Sequence, residues 1–384
     1  MRIITDTQSL ENFCTAQESA DYVTIDTEFM RDTSYWPRLC LIQVGGIEEA
    51  VIIDPLSEGL ELDPLYALLR NPDVIKVFHA ARQDLEIFYQ RMGSVPAPVF
   101  DTQVAAMVCG FGDQVSYEKL VAALTSKSID KGARFTDWSR RPLGEKQLSY
   151  ALADVTHLRD VYEKLRKRLE RNGRESWLSD EMAVLADPET YENDPEKAWL
   201  RLKSRSRDRR ALAVMRALAT WREKEAQSRD VPRSRILKDE QLYDLASNRP
   251  ETADGLARLR GFSGDMAKGR IGREILAVIS ETANLPKNKL PEGPSAPDNR
   301  EDASPALIEL LKVLLKAKSE EHDIAQKLLA NVSDLEQIAL DDAADVPALK
   351  GWRREIFGRY ALELKQGKIA LSAEDRSVKV LSLD

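Results

Sequence analysis

The chain has 384 residues, longer than a single hydrophobic core usually grows, so two or more domains are expected. Apolar residues at 43% and charged residues at 31%, with 17 prolines spread along the chain, exclude a disordered or fibrous protein. A net charge of −8 excludes a protein that coats nucleic acid over its whole surface, so any such contact must come from a local patch.

The N-terminus, Met1 to Asp6, lacks a basic stretch followed by an apolar run, and no apolar segment of membrane-spanning length follows anywhere. The expectation is a cytoplasmic protein with no membrane partner. Over the first 170 residues, short β-branched runs alternate with helical patterns, the signature of an α/β domain. Strands are expected at Tyr22–Thr27, Leu39–Val44 and Ala50–Asp54, close enough together for an antiparallel meander. Helices near Pro64–Arg70, Ala81–Arg91, Thr102–Val108 and Ser116–Ala123 then alternate with strands at Val74–Phe78 and Pro98–Phe100. A long helix from Glu145 to about Glu170 closes the domain, with Leu148, Leu152, Val155, Leu158, Tyr162 and Leu165 at helical spacing. The cysteines, Cys14, Cys40 and Cys109, stand far apart in apolar context and read as reduced core thiols.

A connecting segment is expected over residues 171–204, and beyond it everything reads as helix and loop. A helical domain over 205–283 is followed by a Pro/Asn/Gly/Ser-rich linker at 284–304, a second helical domain at 305–375 and a tail at 376–384. The two helical domains resemble each other. Gln241–Ala246 matches Asp334–Ala339, and Leu259–Phe262 matches Leu349–Trp352, at offsets of 93 and 90 residues. Between Arg201 and Arg235 stand twelve basic residues against four acidic ones. Arg205, Arg209 and Arg233 of this stretch are candidate phosphate contacts, and a solvated helix face is the alternative.

In Tyr22-Val23-Thr24-Ile25-Asp26-Thr27-Glu28-Phe29, strand periodicity puts Val23, Ile25 and Phe29 on one face and Asp26 and Glu28 together on the other. Two carboxylates at that spacing repel each other unless cations or donors compensate them. Asp84 follows the Val74–Phe78 strand at the start of a helix, and Tyr150 and Asp154 are neighbours, four residues apart, on the long helix. Asp101, opening the helix after Phe100, reads as an N-cap.

Taken together these segments resemble the ribonuclease D family of the DEDD exonuclease superfamily. The first motif reads Ile25-Asp26-Thr27-Glu28-Phe29 and continues through Tyr35-Trp36-Pro37-Arg38 to Leu41-Ile42-Gln43; the second reads Phe78-His79-Ala80-Ala81-Arg82-Gln83-Asp84-Leu85-Glu86; the third reads Tyr150-Ala151-Leu152-Ala153-Asp154. Ser149 stands where a sister subgroup has histidine, which assigns the chain to the tyrosine subgroup. Trp221–Ala226 and Pro232-Arg233 resemble the HRDC domains that ribonuclease D carries, and the second copy is the more diverged.

The resemblance implies a ribonuclease-H-like α/β exonuclease domain, a mixed sheet flanked by helices, followed by two all-α HRDC-like domains. It implies a 3′→5′ exoribonuclease in which Asp26, Glu28, Asp84 and Asp154 hold two divalent ions, Mg²⁺ or Mn²⁺, and Tyr150 orients the attacking water. Its substrates would be tRNA precursors and other small structured RNAs with single-stranded 3′ ends, released as 5′-monophosphate nucleotides. Phe29, Met30 and His79 would meet the terminal nucleotide. No obligatory protein partner is evident, and a monomer is expected. The competing readings are a DNA proofreading or repair exonuclease, since the metal chemistry is indifferent to the sugar, and a non-catalytic RNA-binding scaffold.

Overall fold

A computed structural model describes residues 1–129, 132, 136–202, 208–291 and 303–383. By its contacts the chain divides into two compact units. One comprises residues 1–28, 39–191 and 300–384, and the other residues 29–38 and 192–299.

The first unit is built on a six-stranded sheet of order β1-β4-β3-β2-β5-β6, made of β1 (Arg2–Ile4), β2 (Tyr22–Met30), β3 (Arg38–Gly45), β4 (Ala50–Ile53), β5 (Ile75–Phe78) and β6 (Val99–Asp101). The sheet is mixed. β1 runs parallel to β4, β4 antiparallel to β3, and β2, β5 and β6 run parallel, with Thr24 opposite Val77 and Phe78 opposite Asp101. Val23 and Ile25 are buried to 1% exposure or less, as their alternation requires. The helices of this part are α1 (Thr7–Gln17), α2 (Asp63–Arg70), α3 (Arg82–Met92), α4 (Thr102–Val108), α5 (Tyr117–Thr125), α6 (Glu145–Asn172) and α7 (Glu175–Ala186). Short β1 and α1, the latter capped by the Asp6 carboxylate on Ser9 N–H, were not expected from the sequence.

Helix α6 departs from the expected stripe in its first turns. Leu148 and Leu152 are only partly buried, whereas Ala151, Asp154 and Val155 are buried and face inward. The Thr24 hydroxyl donates to the Val155 carbonyl at 2.8 Å, so α6 lies on the face of β2 that carries Asp26. Helix α7, inside the expected connecting segment, packs on this unit through Leu178 and through the Met182 sulfur, which accepts from Asp101 N–H.

The second unit contains α8 (Arg209–Ser228), α9 (Arg233–Ile236), α10 (Asp239–Asn248), α11 (Ala253–Ala257), α12 (Gly264–Lys268) and α13 (Arg270–Ala283) around a core of Leu212, Met215, Leu218, Leu242, Leu245, Leu256 and Ile275. The loop after β2 is part of that core. Tyr35, 3% exposed, donates its hydroxyl to Glu223, and Asp230 accepts from the backbone N–H groups of Tyr35 and Trp36 at 3.0 and 2.9 Å. Residues 284–291 of the expected linker are fastened down, because Arg209 donates to the carbonyls of Leu290 and Pro291.

The C-terminal part of the first unit repeats the succession of long helix, four-residue helix and third helix in α14 (Pro305–His322), α15 (Gln326–Leu329) and α16 (Val332–Leu340). It ends in α17 (Gly351–Arg353), a π-helical turn at Arg354–Gly358, and α18 (Arg359–Lys365). Gly261 and Gly351, matched between the copies, both take positive φ (84° and 48°), a conformation that other residues resist. The second copy does not have a core of its own. Leu311, Leu314, Leu329, Ile338 and Phe357 share one cluster with Ala105, Val108, Leu158 and Leu165 of the exonuclease helices. Ala325 N–H donates to Met107 O, and Trp177 stacks on Trp352 at 4.6 Å.

One expectation is corrected here. The chain does not end in helix and tail but in a hairpin, β7 (Ile369–Glu374) and β8 (Ser377–Ser382), with Asp375 in the left-handed conformation at the turn. Most of the hairpin is exposed, so its sequence lacks the apolar alternation by which a half-buried strand is recognised.

Candidate active site

Strand β2, flanked by β3 and β5, carries Asp26 and Glu28 on the face covered by α6, and α6 brings Asp154 to them. One carboxylate oxygen from each of Asp26, Glu28 and Asp154 lies within 4.8 Å of the others. Asp84, on the first turn of α3, is outside that group of three but close enough to Asp26 to feel its charge. Thr27 Oγ1 donates to Asp84 Oδ1 at 2.5 Å.

The turn from β5 into α3 is held by Asp101. Its carboxylate accepts from Ala80 N–H at 3.0 Å and Ala81 N–H at 2.9 Å, and caps α4 through Gln103 N–H at 2.8 Å. Ala80 sits there at φ 58°, a conformation uncommon for a residue with a Cβ, and the Asp101 bonds hold it. The N-cap expected at Asp101 is therefore also the anchor of the strand-to-helix turn that presents Asp84.

Burial raises the Asp26 carboxyl well above the ordinary range, and the Asp154 charge adds to it; Asp84 is raised first by burial and then by Asp26. Acids gathered in this way are poor partners for one another and good ones for a cation. The donor set is carboxylate oxygen throughout, which suits a hard divalent ion and not a soft one, and a divalent charge relieves the repulsion that raises these groups. The residues fit a metal.

Tyr150 lies one turn before Asp154 on α6, its ring 6.2 Å from that of Trp138. Trp138 is 2% exposed and belongs to a loop tied down by Arg141, which pairs with Asp54 through two 2.6 Å bonds and donates to Cys40 O at 2.8 Å. Tyr117 donates to the Asp154 backbone carbonyl at 2.5 Å, and burial together with the Asp154 and Asp26 charges raises its phenol far above the usual value. Neither Trp138 nor Tyr117 was found by reading the sequence. Each is a single aromatic residue among polar neighbours, Asp137 and Ser139 for the one and Ser116 and Glu118 for the other, with no apolar or acidic pattern to mark it.

His79, at the end of β5, has Nδ1 3.0 Å from Thr102 Oγ1 and its ring 5.2 Å from Tyr117. Burial pushes it down to about 4, so it is neutral at neutral pH. Phe29 and Met30 complete β2 immediately after Glu28 and are partly buried. Arg205 lies outside the described residues. Arg209 and Arg233, candidate phosphate contacts, each spend Nε and Nη2 on partners within the protein. Arg209 bonds two backbone carbonyls, and Arg233 forms a fork with Glu223 at 2.5 and 2.6 Å while lying over the Tyr35 ring at 4.7 Å. Cys14, Cys40 and Cys109 are buried free thiols, with Cys14 pushed up to about 12 and Cys109 to about 11 by burial, as inert core thiols should be.

The 3′-5′ exonuclease family profile matches residues 1–170, and the HRDC domain profile matches residues 211–279. The ribonuclease D of Granulibacter bethesdensis is 52% identical over 380 residues, covering 99% of this chain and 96% of the relative. That of Acidiphilium cryptum is 51% identical, covering 99% and 97%. The chain belongs to the ribonuclease D family. The crystal structure of Escherichia coli RNase D, described as an exoribonuclease involved in structured RNA processing, superposes with a TM-score of 0.82 at 31% identity, covering 95% of this chain and 98% of that one. The fold class and the family expected from the sequence are thus established. As a ribonuclease D, this chain is a hydrolase that removes nucleotides from the 3′ end of RNA, and no described helix is long and apolar enough to cross a membrane.

Proposed function

We propose that this ribonuclease D trims the single-stranded 3′ ends of tRNA precursors and other small structured RNAs in the cytoplasm, releasing 5′-monophosphate nucleotides one at a time. The observation that carries this reading is the gathering of Asp26, Glu28 and Asp154 oxygens within 4.8 Å beside buried Asp84. These four acids would hold two divalent ions, Mg²⁺ or Mn²⁺. Bound there, such ions supply the charge that acidifies water and stabilises a leaving 3′-oxygen.

The side chains do the rest. Tyr150 orients the attacking water through its hydroxyl, since a phenol with an ordinary pKa of about 10 is a poor base at neutral pH. Trp138 packs beside the Tyr150 ring, and Tyr117 holds the Asp154 backbone. Neutral His79 offers the terminal nucleotide a hydrogen-bonding group without a charge, and Phe29 and Met30 offer its base an apolar contact.

The test is degradation of a 5′-labelled RNA hairpin with a 3′ single-stranded tail, with Mg²⁺, with Mn²⁺ and with chelator, beside DNA of the same sequence and the Asp26→Asn variant. Stepwise metal-dependent shortening of the RNA tail that stops near the stem and vanishes in the variant is expected. Preferential digestion of the DNA would contradict the substrate assignment, and binding without shortening under either metal would contradict the mechanism.

A further inference from the structure

Gln43 is fully buried on β3, and among the described residues neither its Nε2 nor its Oε1 has a hydrogen-bond partner. A buried amide left unbonded is a net cost to folding that an apolar side chain of the same volume avoids, so its presence calls for a bond that the metal-free fold does not make.

Its place on the sheet identifies that partner. β2 and β3 are neighbours, and residues 31–37 between them are far too few for the crossover of a dozen or more residues that parallel strands require, so the pair runs antiparallel. Gly45 supplies the register. A Cβ built on it would run into Thr24 Oγ1 and would lie 3.3 Å from the Val155 carbonyl of α6. Gly45 therefore faces Thr24 beneath α6. Two residues along each strand, in opposite directions, Gln43 faces Asp26 on the same side of the sheet. Directly opposed residues have Cβ atoms about 4.5–5.5 Å apart, which an amide side chain spans easily.

We propose that Gln43 is a positioning residue of the acidic centre: once a divalent cation is held there, its side-chain amide donates to the Asp26 carboxylate and keeps it in the orientation that serves the cation. A carboxylate that gives one oxygen to a cation keeps the other as an acceptor, and the Nε2 donor of Gln43 stands on its side of the sheet. This inference rests on the reading of Asp26, Glu28, Asp84 and Asp154 as a cation site. It adds a residue that carries no charge and would never be counted among the acids.

The experiment uses the full chain without RNA. Binding of Mn²⁺ is titrated by electron paramagnetic resonance of the free ion, and thermal unfolding is followed separately in chelator, for the parent, Gln43→Met, Gln43→Leu and the control Asp26→Asn. Both Gln43 variants should bind Mn²⁺ at least about tenfold more weakly, the scale of losing a bond behind a metal ligand. Their unfolding temperature in chelator should be unchanged or higher. With RNA, their kcat at low Mn²⁺ should fall and recover in excess Mn²⁺, while KM for RNA stays put. Less than about tenfold weakening overturns the proposal. So does a fall of more than about 4 °C in chelator for both variants, since that would show the amide already bonded in the metal-free fold. Failure of the parent to bind Mn²⁺ would instead strike the acidic centre itself, and is told apart by the identical behaviour of parent and Asp26→Asn.

Discussion

Asp26 in the first unit and Glu223 in the second are both carboxylates that burial pushes up, and the fold treats them in opposite ways. The groups that act most on Asp26 are burial and the neighbouring Asp154, and both push its carboxyl up. Glu223, its side chain 1% exposed, is also pushed up by burial. That push is more than offset by the bonds from Arg233 and Tyr35 and by the charges of Arg233 and Arg201, and the net result is a lowered carboxyl. One acid is left with an appetite for positive charge and the other has been satisfied internally. Burial alone does not make a carboxylate functional; an uncompensated one is a candidate, and a compensated one is part of the scaffold.

Four substitutions break or sharpen this contrast. Asp26→Asn should lower single-turnover RNA cleavage by about 10³-fold or more, the loss of some 4 kcal/mol of charge stabilisation. In chelator the same variant should melt no lower than the parent, because it relieves repulsion; a lower melting temperature would mean that Asp26 is as well compensated as Glu223. Tyr150→Phe removes a hydroxyl beside the open centre without removing charge, and should reduce kcat by about 10²-fold while Mn²⁺ affinity is retained. Glu223→Gln should cost about 2–3 kcal/mol in urea unfolding. That is below the loss for a fully buried pair, because Arg233 and Arg201 reach solvent, and Mn²⁺ binding should be unaffected. Tyr35→Phe should cost about 1–2 kcal/mol and leave the Mn²⁺ affinity alone.

The pH dependence of the Glu223→Gln difference follows from the sign of the shift. The folded protein holds the Glu223 carboxyl below its ordinary 4.5, so the stability it contributes is present above that value and is lost as the pH falls through the folded pKa. Urea midpoints of parent and variant should therefore differ at pH 7 and converge below pH 4.5. A gap that persists unchanged in acid would mean that shape, not charge, makes the difference.

The acids of the centre were legible in the sequence because strand and helix periodicities placed Asp26 with Glu28 and Tyr150 with Asp154, and because the motifs around them are long. Most of the strands and helices of the first 170 residues were legible for the same reason. What could not be read was compensation. The arginines of the 201–235 stretch look like a phosphate-binding surface in one dimension, yet Arg233 is taken by Glu223 ten residues away, and Arg222 by Asp239 and the Leu237 carbonyl. Trp138 owes its place beside Tyr150 to a loop whose course no local pattern announces, and Tyr117 its place on the Asp154 carbonyl to the packing of α5 against α6, which helix periodicity alone does not give. The repeat of the helical domains was visible, but not that one copy builds its own core and the other completes the core of the catalytic domain.

The Tyr35 hydroxyl and its acceptor Glu223 are 188 residues apart. During synthesis at about 5–20 residues per second, roughly 10–40 s pass between the emergence of the segment that follows Glu28 and the arrival of the side chain that fastens it. Asp26 and Glu28 are made before that interval and Asp84 and Asp154 within it, so a nascent chain carries the complete set of acids before the loop that follows Glu28 has been secured. Fastening of that loop is thus a late event in the life of the polypeptide, and it waits on α8, the helix that carries Glu223.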